Sequence, residues 1–180
     1  MLIGLAGYSG AGKTTAIDYF VSQGLGVNYY AGSILLEEIA KRGLEQTPDV
    51  ERAVREEMRA VSGMAVFAQL ALPRIREMCA NGNVFLDAIY CPEEQKCYQD
   101  AFGDKLAVVA VSASVETRIA RLACRADRPM PREKLEARDA LERNFFKLDE
   151  VVANATIQIN NDNTLQEFQR TLDELRGRLA

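Results

Sequence analysis

Short apolar runs alternate with segments of helical periodicity along the whole chain. The runs at 2–6, 25–29, 84–87, 106–111 and 156–160 have the length and apolar character of buried strands. Between them, apolar residues recur at spacings of three and four, which indicates helices that each bury one face. Strands that alternate with helices in this way predict an α/β fold with a parallel sheet.

The predicted helices fill the intervals between these strands. One of them, over 64–78, contains Pro73, where we expect a kink. Most of the others are bounded by a capping residue, a proline or a glycine, and they cover 14–21, 33–42, 50–61, the segment after Pro92, 116–125, 132–146 and the segment after Thr164.

Two segments are longer than a sheet of this kind needs in order to fold. The first, about 41–78, separates the second and third predicted strands, and the second, about 121–138, is rich in arginine. Both positions suit elements that close over ligands. We therefore expect one domain over 1–180, with an arm at 41–78 and a lid at 121–138.

Composition removes several classes of function. The 180 residues carry a net charge of −4, which argues against a nucleic-acid partner, and no apolar run approaches the ~18 residues of a membrane span. The first residues lack the basic segment of a signal peptide, and the four cysteines have no C-x-x-C spacing, so we expect reduced thiols in a cytoplasmic protein. The absence of histidine excludes His-based acid–base chemistry.

The stretch 7–14, Gly-Tyr-Ser-Gly-Ala-Gly-Lys-Thr, matches G-x-x-x-x-G-K-[ST] and lies between the first predicted strand and the first predicted helix. We call it the phosphate loop. Glycines let backbone N–H groups turn around an anion, and the helix N-terminus adds partial positive charge. The predicted nucleotide contacts are Gly7, Ser9, Gly10, Ala11, Gly12, Lys13, Thr14 and Thr15.

A dinucleotide fingerprint is the nearest alternative for this loop, but its third glycine would fall at Thr15 and Lys13 would have no role. In a phosphate loop Lys13 can reach the β- and γ-phosphates and the Thr14 hydroxyl can bind Mg²⁺. The sequence therefore predicts ATP and Mg²⁺ as cofactors.

Asp87 ends a buried predicted strand, and the carboxyl ends of such strands border the ligand crevice of open α/β sheets. Its carboxylate can hold Mg²⁺ or accept a proton from a substrate hydroxyl. The alternative is an aspartate that only satisfies the turn before Pro92.

Six arginines fall within 21 positions: Arg118, Arg121, Arg125, Arg128, Arg132 and Arg138. Arg121 and Arg125 are four residues apart and share a helix face, so both can meet the oxygens of a transferring phosphate. The alternative is a solvated face whose arginines pair with neighbouring acids.

The whole chain resembles nucleoside-phosphate kinases, the group that holds adenylate kinase and dephospho-coenzyme A kinase, and within it a dephospho-coenzyme A kinase-related microbial branch. The resemblance is carried by the phosphate loop, 39–44, the strand ending at Asp87, the pair Arg121 and Arg125, Arg138-Asp139, and 160–168. It implies a five-stranded parallel sheet of order 2-3-1-4-5 with helices on both faces. It also implies that the adenine lies near Asn161, Asp162 and Asn163. The predicted catalytic residues are Lys13, Asp87, Arg125 and Arg121.

Two arginines typical of that group are replaced. Where Gly-Asp-x-x-Arg is usual the chain has Leu36 in place of the arginine, and where Asp-Gly-x-Arg is usual it has Tyr90. Loss of two planar, always-charged groups is not conservative. Either Arg59, Arg55 or Arg138 holds the acceptor phosphate, or the acceptor is not an ordinary nucleoside monophosphate.

These features predict an ATP- and Mg²⁺-dependent kinase that moves the γ-phosphoryl group to a small acceptor, either a nucleotide or a dephospho-coenzyme A-like phosphate ester. The protein is expected to act as a monomer or homodimer on this small-molecule partner. The alternative is an ATP-binding switch with little or no transfer activity, which the replaced arginines favour.

Overall fold

A computed structural model describes residues 1–125 and 129–179 of the chain. Its strands are β1 (Leu2–Ala6), β2 (Val27–Tyr30), β3 (Val84–Asp87), β4 (Leu106–Ser112) and β5 (Ile157–Asn160). All neighbouring strands are parallel, and their order is β2-β3-β1-β4-β5. The predicted fold class and strand order are confirmed, and the phosphate loop leaves the central strand of the sheet.

The helices lie close to their predicted positions: α1 (Lys13–Ser22), α2 (Ser33–Lys41), α3 (Pro48–Ser62), α4 (Val66–Ala80), α5 (Pro92–Phe102), α6 (Val115–Ala123), α7 (Arg132–Asn144), α8 (Leu148–Ala153) and α9 (Leu165–Leu179). Helix α4 continues through Pro73. Helix α8 was not predicted. It begins after Lys147, which adopts a left-handed φ of 54°, and it buries Leu148 and Val151 completely.

The core is divided by the sheet into two layers, because side chains of β1 point alternately to its two faces. Ile3 and Leu5 pack with α1 and α9, whereas Leu2 and Ala6 pack with α4, α5 and α8. Burial on both faces is expected for the central strand of a parallel sheet.

The predicted arm packs against α2 in a small separate apolar cluster formed by residues of α2, α3 and α4: Leu35, Ile39, Val54, Val66 and Phe67. Helix α4 also belongs to the sheet core, where Ala71 and Ile75 are fully buried. The motions expected of the arm and the lid stay predictions, and residues 126–128 of the lid lie outside the described residues. Within the described ranges, no helix has both the length and the apolar character that crossing a bilayer requires.

Candidate active site

The phosphate loop turns tightly between β1 and α1. Gly7, Gly10 and Gly12 have φ values of 133°, 83° and 111°, in the range that L-residues with side chains rarely adopt. A Cβ atom at Gly7 would collide with the backbone carbonyl of Val111 in β4, and one at Gly12 would collide with the side-chain amide of Asn161. The loop therefore packs so closely against β4 and the segment after β5 that these two positions require glycine.

Lys13 is the first residue of α1, and its side chain turns back across the phosphate loop. Its ammonium Nζ donates to the carbonyl of Gly7 at 2.7 Å and to that of Tyr8 at 3.2 Å. Burial lowers the pKa of Lys13, and the carboxylates of Asp87 and Glu142 oppose this shift. The positive charge is therefore held at the mouth of the loop, where a phosphate chain would lie.

Asp87 ends β3 and pairs in register with Leu5 of β1, so its half-buried carboxylate lies beside the start of the loop. Burial raises the pKa of Asp87, whereas the Lys13 ammonium and the Thr14 hydroxyl oppose this shift. Thr14 is exposed in the first turn of α1. Hydroxyl and carboxylate oxygens are hard ligands of the kind that Mg²⁺ binds in proteins. Thr14 and Asp87, which lie near each other, therefore fit the metal.

Arg118 of α6 contacts the backbone of the phosphate loop, a role that the sequence did not indicate. It is only 3% exposed, and its two terminal nitrogens donate to both carboxylate oxygens of Asp139 in α7 at 2.9 and 2.6 Å. The first of these nitrogens also donates to the carbonyl of Ser9 at 3.2 Å. A single side chain thus joins α6, α7 and the phosphate loop.

Tyr8 provides a second link from the loop, to α8. Its hydroxyl donates to the Asp149 carboxylate at 2.6 Å, and the guanidiniums of Arg118 and Arg143 lie 5.2 and 5.8 Å from the centre of its ring. Burial and the hydrogen bond to Asp149 raise the pKa of Tyr8 to about 12. The tyrosine is therefore neutral at physiological pH and anchors the loop through its protonated hydroxyl.

The segment after β5 lies against the loop, as the predicted adenine site requires. The buried Asn161 amide donates to the carbonyl of Ala11 at 2.8 Å. Asp162 accepts from the backbone N–H of Ser114 at 2.6 Å, and this hydrogen bond holds the pKa of its carboxyl well below the usual range. The contact of Asn161, Asp162 and Asn163 with a base stays a prediction.

Arg121 of α6 contacts this segment after β5 through two hydrogen bonds. Its terminal nitrogen donates to the Asn161 side-chain oxygen at 3.2 Å and to the Asn163 carbonyl at 3.4 Å. The phosphate contact predicted for Arg121 stays a prediction. Arg125, two residues after the end of α6, is exposed and lies near enough to Asp87 to oppose the rise of its pKa. Arg128 lies outside the described residues.

The predicted acceptor-binding residue Arg55 lies on α3, with Tyr30 at the end of β2 and Tyr90 after β3 among its electrostatic neighbours. Arg55 of α3 is half-buried, and no carboxylate in the described part of the chain lies within ion-pair distance of it. Burial lowers the pKa of Arg55, and the nearby Arg59 lowers it further. Tyr90, whose pKa burial raises to about 12, Glu51 and Tyr30 oppose this lowering of the Arg55 pKa.

Arg59 does not face the cleft as expected. Its guanidinium is buried, donates to Glu94 of α5 at 3.0 Å, and lies 5.1 and 4.5 Å from the ring centres of Phe67 and Phe146. The ion pair with Glu94 and the contacts with the two aromatic rings therefore hold α3 against the rest of the domain. Two arm arginines were predicted to bind an acceptor. Arg59 is paired with a carboxylate, whereas Arg55 has no carboxylate partner among the described residues.

Comparison with known proteins agrees with this geometry. A family model described as an AAA domain matches residues 6–139. A UPF0200 protein of Thermococcus sibiricus is 31% identical over 184 aligned residues, which cover 100% of this chain and 96% of the relative. The chain belongs to the UPF0200 family.

Solved structures similar to this UPF0200 chain place it in the P-loop kinase fold. TT1252 from Thermus thermophilus superposes with a TM-score of 0.67 and 22% identity, covering 100% of this chain and 98% of that one. A shikimate kinase from Bacteroides thetaiotaomicron superposes with a TM-score of 0.61 and 16% identity, covering 99% and 96% of the two chains. At these identities the likeness establishes the fold alone.

The Asn161 contact gives a first prediction for this UPF0200 member. Asn161→Ala removes the hydrogen bond to Ala11 and leaves Arg121 without one of its acceptors, at a cost of about 1–2 kcal/mol. We expect the affinity for an ATP analogue, measured by calorimetry, to fall about tenfold. Asn81→Ala is the matched control, because Asn81 is exposed and its side-chain amide donates to the carbonyl of Glu77 in α4, away from the phosphate loop. Equal affinities in both variants would show that the loop does not need this link.

Proposed function

We propose that the protein is an ATP- and Mg²⁺-dependent kinase that transfers the γ-phosphoryl group to a small acceptor. The observation that carries the proposal is the grouping of Lys13 and Thr14, at the start of α1, with Asp87, at the end of β3, beside a loop whose three glycines have positive φ. Phosphoryl transfer needs mainly positioning and charge neutralisation, and this grouping offers both.

Each group of the loop has a role in this proposal. The loop amides and Lys13 hold the β- and γ-phosphates, and Thr14 and Asp87 hold the metal, Thr14 directly and Asp87 directly or through water. Mg²⁺, when bound, supplies charge neutralisation on the phosphate oxygens. Arg125 neutralises charge on the transferring group, while Arg121 orders the segment of Asn161, Asp162 and Asn163 around the base.

On the acceptor side we assign Arg55 and Arg138 to substrate binding. The Arg138 guanidinium donates to Glu142 at 2.7 Å and lies near enough to Lys13 and Tyr90 to lower the pKa of both. A nucleotide or a dephospho-coenzyme A-like phosphate ester suits these two positive charges. The shikimate kinase of the same fold adds a hydroxy acid to the classes of acceptor to be tested.

A nucleotide-dependent switch is the second candidate, and one observation favours it. Leu36 and Tyr90 occupy positions where arginines would grip an acceptor phosphate. A switch would bind ATP through the same loop and transfer nothing. Arg138, which lies near enough to Lys13 to lower its pKa, favours the kinase, because a switch has no use for a further cation beside the phosphate loop.

The two candidates are separated by one assay. The protein is incubated with γ-labelled ATP, Mg²⁺ and, separately, AMP, CMP, dephospho-coenzyme A, ribose 5-phosphate or shikimate, and labelled product is resolved by chromatography. We expect transfer to one of these acceptors. Tight binding of ATP with no labelled product from any acceptor would favour the switch.

Metal dependence is a separate prediction. Thr14 and Asp87 give the site few protein ligands, so Mg²⁺ would keep several waters and exchange readily. We expect EDTA to abolish transfer and excess Mg²⁺ to restore it fully, as measured by the same labelled-product assay. Transfer that continues at full rate in EDTA would exclude the metal from the mechanism.

A further inference from the structure

Glu94 is a buried carboxylate of α5 that none of the proposed roles uses. It is only 4% exposed, and both of its oxygens accept hydrogen bonds. A terminal nitrogen of Arg59 donates to Oε1 at 3.0 Å, and the backbone N–H of Tyr90 donates to Oε2 at 2.9 Å. A buried carboxylate is held firmly when a cation and a backbone donor satisfy it together. One side chain of α5 therefore joins α3 to the segment that follows β3.

The segment 87–91, between β3 and α5, begins at the carboxylate that we assign to the metal. The N–H of Ile89 donates to the carbonyl of Leu5 at 2.9 Å, which ties the segment to β1. The N–H of Tyr90 comes next along the backbone, and Glu94 accepts from it. Two contacts thus set the backbone beside the metal-binding carboxylate, one from the sheet and one from Glu94.

Arg59 in turn fixes the Glu94 carboxylate from the predicted arm. Its guanidinium packs on the rings of Phe67 and Phe146, and its ion pair with Glu94 is almost fully buried. A planar guanidinium packed on two rings has little freedom to rotate. Because Arg59 lies one turn after Arg55 on α3, the helix that carries a proposed acceptor contact also sets the position of Glu94.

We infer, building on the proposed kinase function, that Glu94 and Arg59 are positioning residues for the metal site. Glu94 holds the backbone of Tyr90, and this contact keeps the Asp87 carboxylate where Mg²⁺ binds. Arg59 transmits the position of α3 to Glu94. A metal-binding carboxylate depends on the hydrogen bonds behind it, and loss of such a bond typically weakens metal binding about 10–100-fold. The arm and the metal site are thus linked through one buried ion pair.

An ion pair that only stabilises the fold would behave differently. Its loss would lower the free energy of unfolding but leave the effect of Mg²⁺ on nucleotide binding unchanged in the folded protein. The readout is therefore the metal gain, defined as the affinity for a non-hydrolysable ATP analogue with Mg²⁺ divided by the affinity without it. Calorimetry measures both affinities and requires no transfer activity.

Glu94→Gln tests the inference, because glutamine keeps the shape but offers one acceptor oxygen to two donors, so its NH₂ group faces one of them. We expect the metal gain to fall about tenfold, while the affinity for the metal-free analogue stays unchanged. Asp87→Asn is the reference, since it alters the metal ligand itself and should lower the gain at least as much. Glu93→Gln is the matched control, because it removes the same charge from the same first turn of α5, where Glu93 is exposed. We expect it to keep the parental gain.

Arg59→Lys provides a second variant in case Glu94→Gln does not fold. Lysine keeps the positive charge beside Glu94 but loses the planar contact with the two rings. We expect a smaller fall in the metal gain, of at least about threefold. Arg52→Lys is its control, because Arg52 is exposed on the same helix and pairs with Asp49.

The outcomes separate this inference from the proposed function. A lowered metal gain in the folded variants, with the parental gain in both controls, supports the link between α3 and the metal site. The parental gain in a folded Glu94→Gln or Arg59→Lys protein overturns the inference, and the labelled-product assay shows independently whether the kinase stands. The parental gain in Asp87→Asn would overturn both the metal assignment of Asp87 and this inference.

Discussion

Replacing Lys13 by alanine is expected to reduce phosphoryl transfer by about 10²–10³-fold, the effect of removing one preorganised donor from developing charge. Its ammonium is the positive charge that the structure holds across the loop, on the carbonyls of Gly7 and Tyr8. A triphosphate would replace these two carbonyls as its partner. The rate is measured as labelled product per time at saturating ATP and acceptor.

Lys41→Ala is the control for this experiment, because Lys41 is exposed at the end of α2 and its ion pair with Glu38 is long, at 3.9 Å. We expect it to transfer at the parental rate. Thermal unfolding of both variants shows whether the domain is intact. A folded Lys13→Ala protein with parental activity would remove the phosphate loop from the proposed mechanism.

Asp139→Ala is expected to have the largest effect on stability, a loss of about 3–5 kcal/mol in the free energy of unfolding. The variant leaves the Arg118 guanidinium buried with no carboxylate among the described residues, where the carbonyl of Ser9 is its one remaining hydrogen-bond partner. An unpaired buried charge costs far more than the pair contributes. Urea denaturation measures the loss.

Two comparisons make this result specific. Glu116→Ala breaks the exposed pair with Arg132 and is expected to cost less than about 1 kcal/mol. The double variant Arg118→Met with Asp139→Leu removes both buried charges and should recover much of the lost stability. We expect its transfer activity to stay low, because Ser9 has then lost its support. A loss below 1 kcal/mol in Asp139→Ala would mean that water reaches the buried pair.

The sheet could be predicted from the sequence because its signals are local. Apolar runs identified the strands, and the resemblance to kinases supplied an order that the structure confirms. Helix α8 was missed because it is short and has only two fully buried positions, Leu148 and Val151, which are too few to define a period. Its existence depends on packing against the sheet, which the sequence pattern does not contain.

The arginines illustrate the limit of sequence for a site of this kind. A run of arginines and acids is usually a solvated face, yet Arg118 is buried because a carboxylate 21 residues later lies beside it in space. Arg59 is likewise held by Glu94, 35 residues away, between two aromatic rings. Spacing along one helix identifies which arginines share a face, but partners on other elements decide which of them are left for a ligand.

The contact between Asn161 and Ala11 joins parts of the chain that are 150 residues apart. During synthesis the glycines of the loop emerge first, while the asparagine that secures them emerges with the last fifth of the chain. A nascent or truncated chain that ends before β5 would therefore contain the whole phosphate loop but not the asparagine whose hydrogen bond holds it. Such a chain would bind a triphosphate only after β5 and α9 have packed against the rest of the domain.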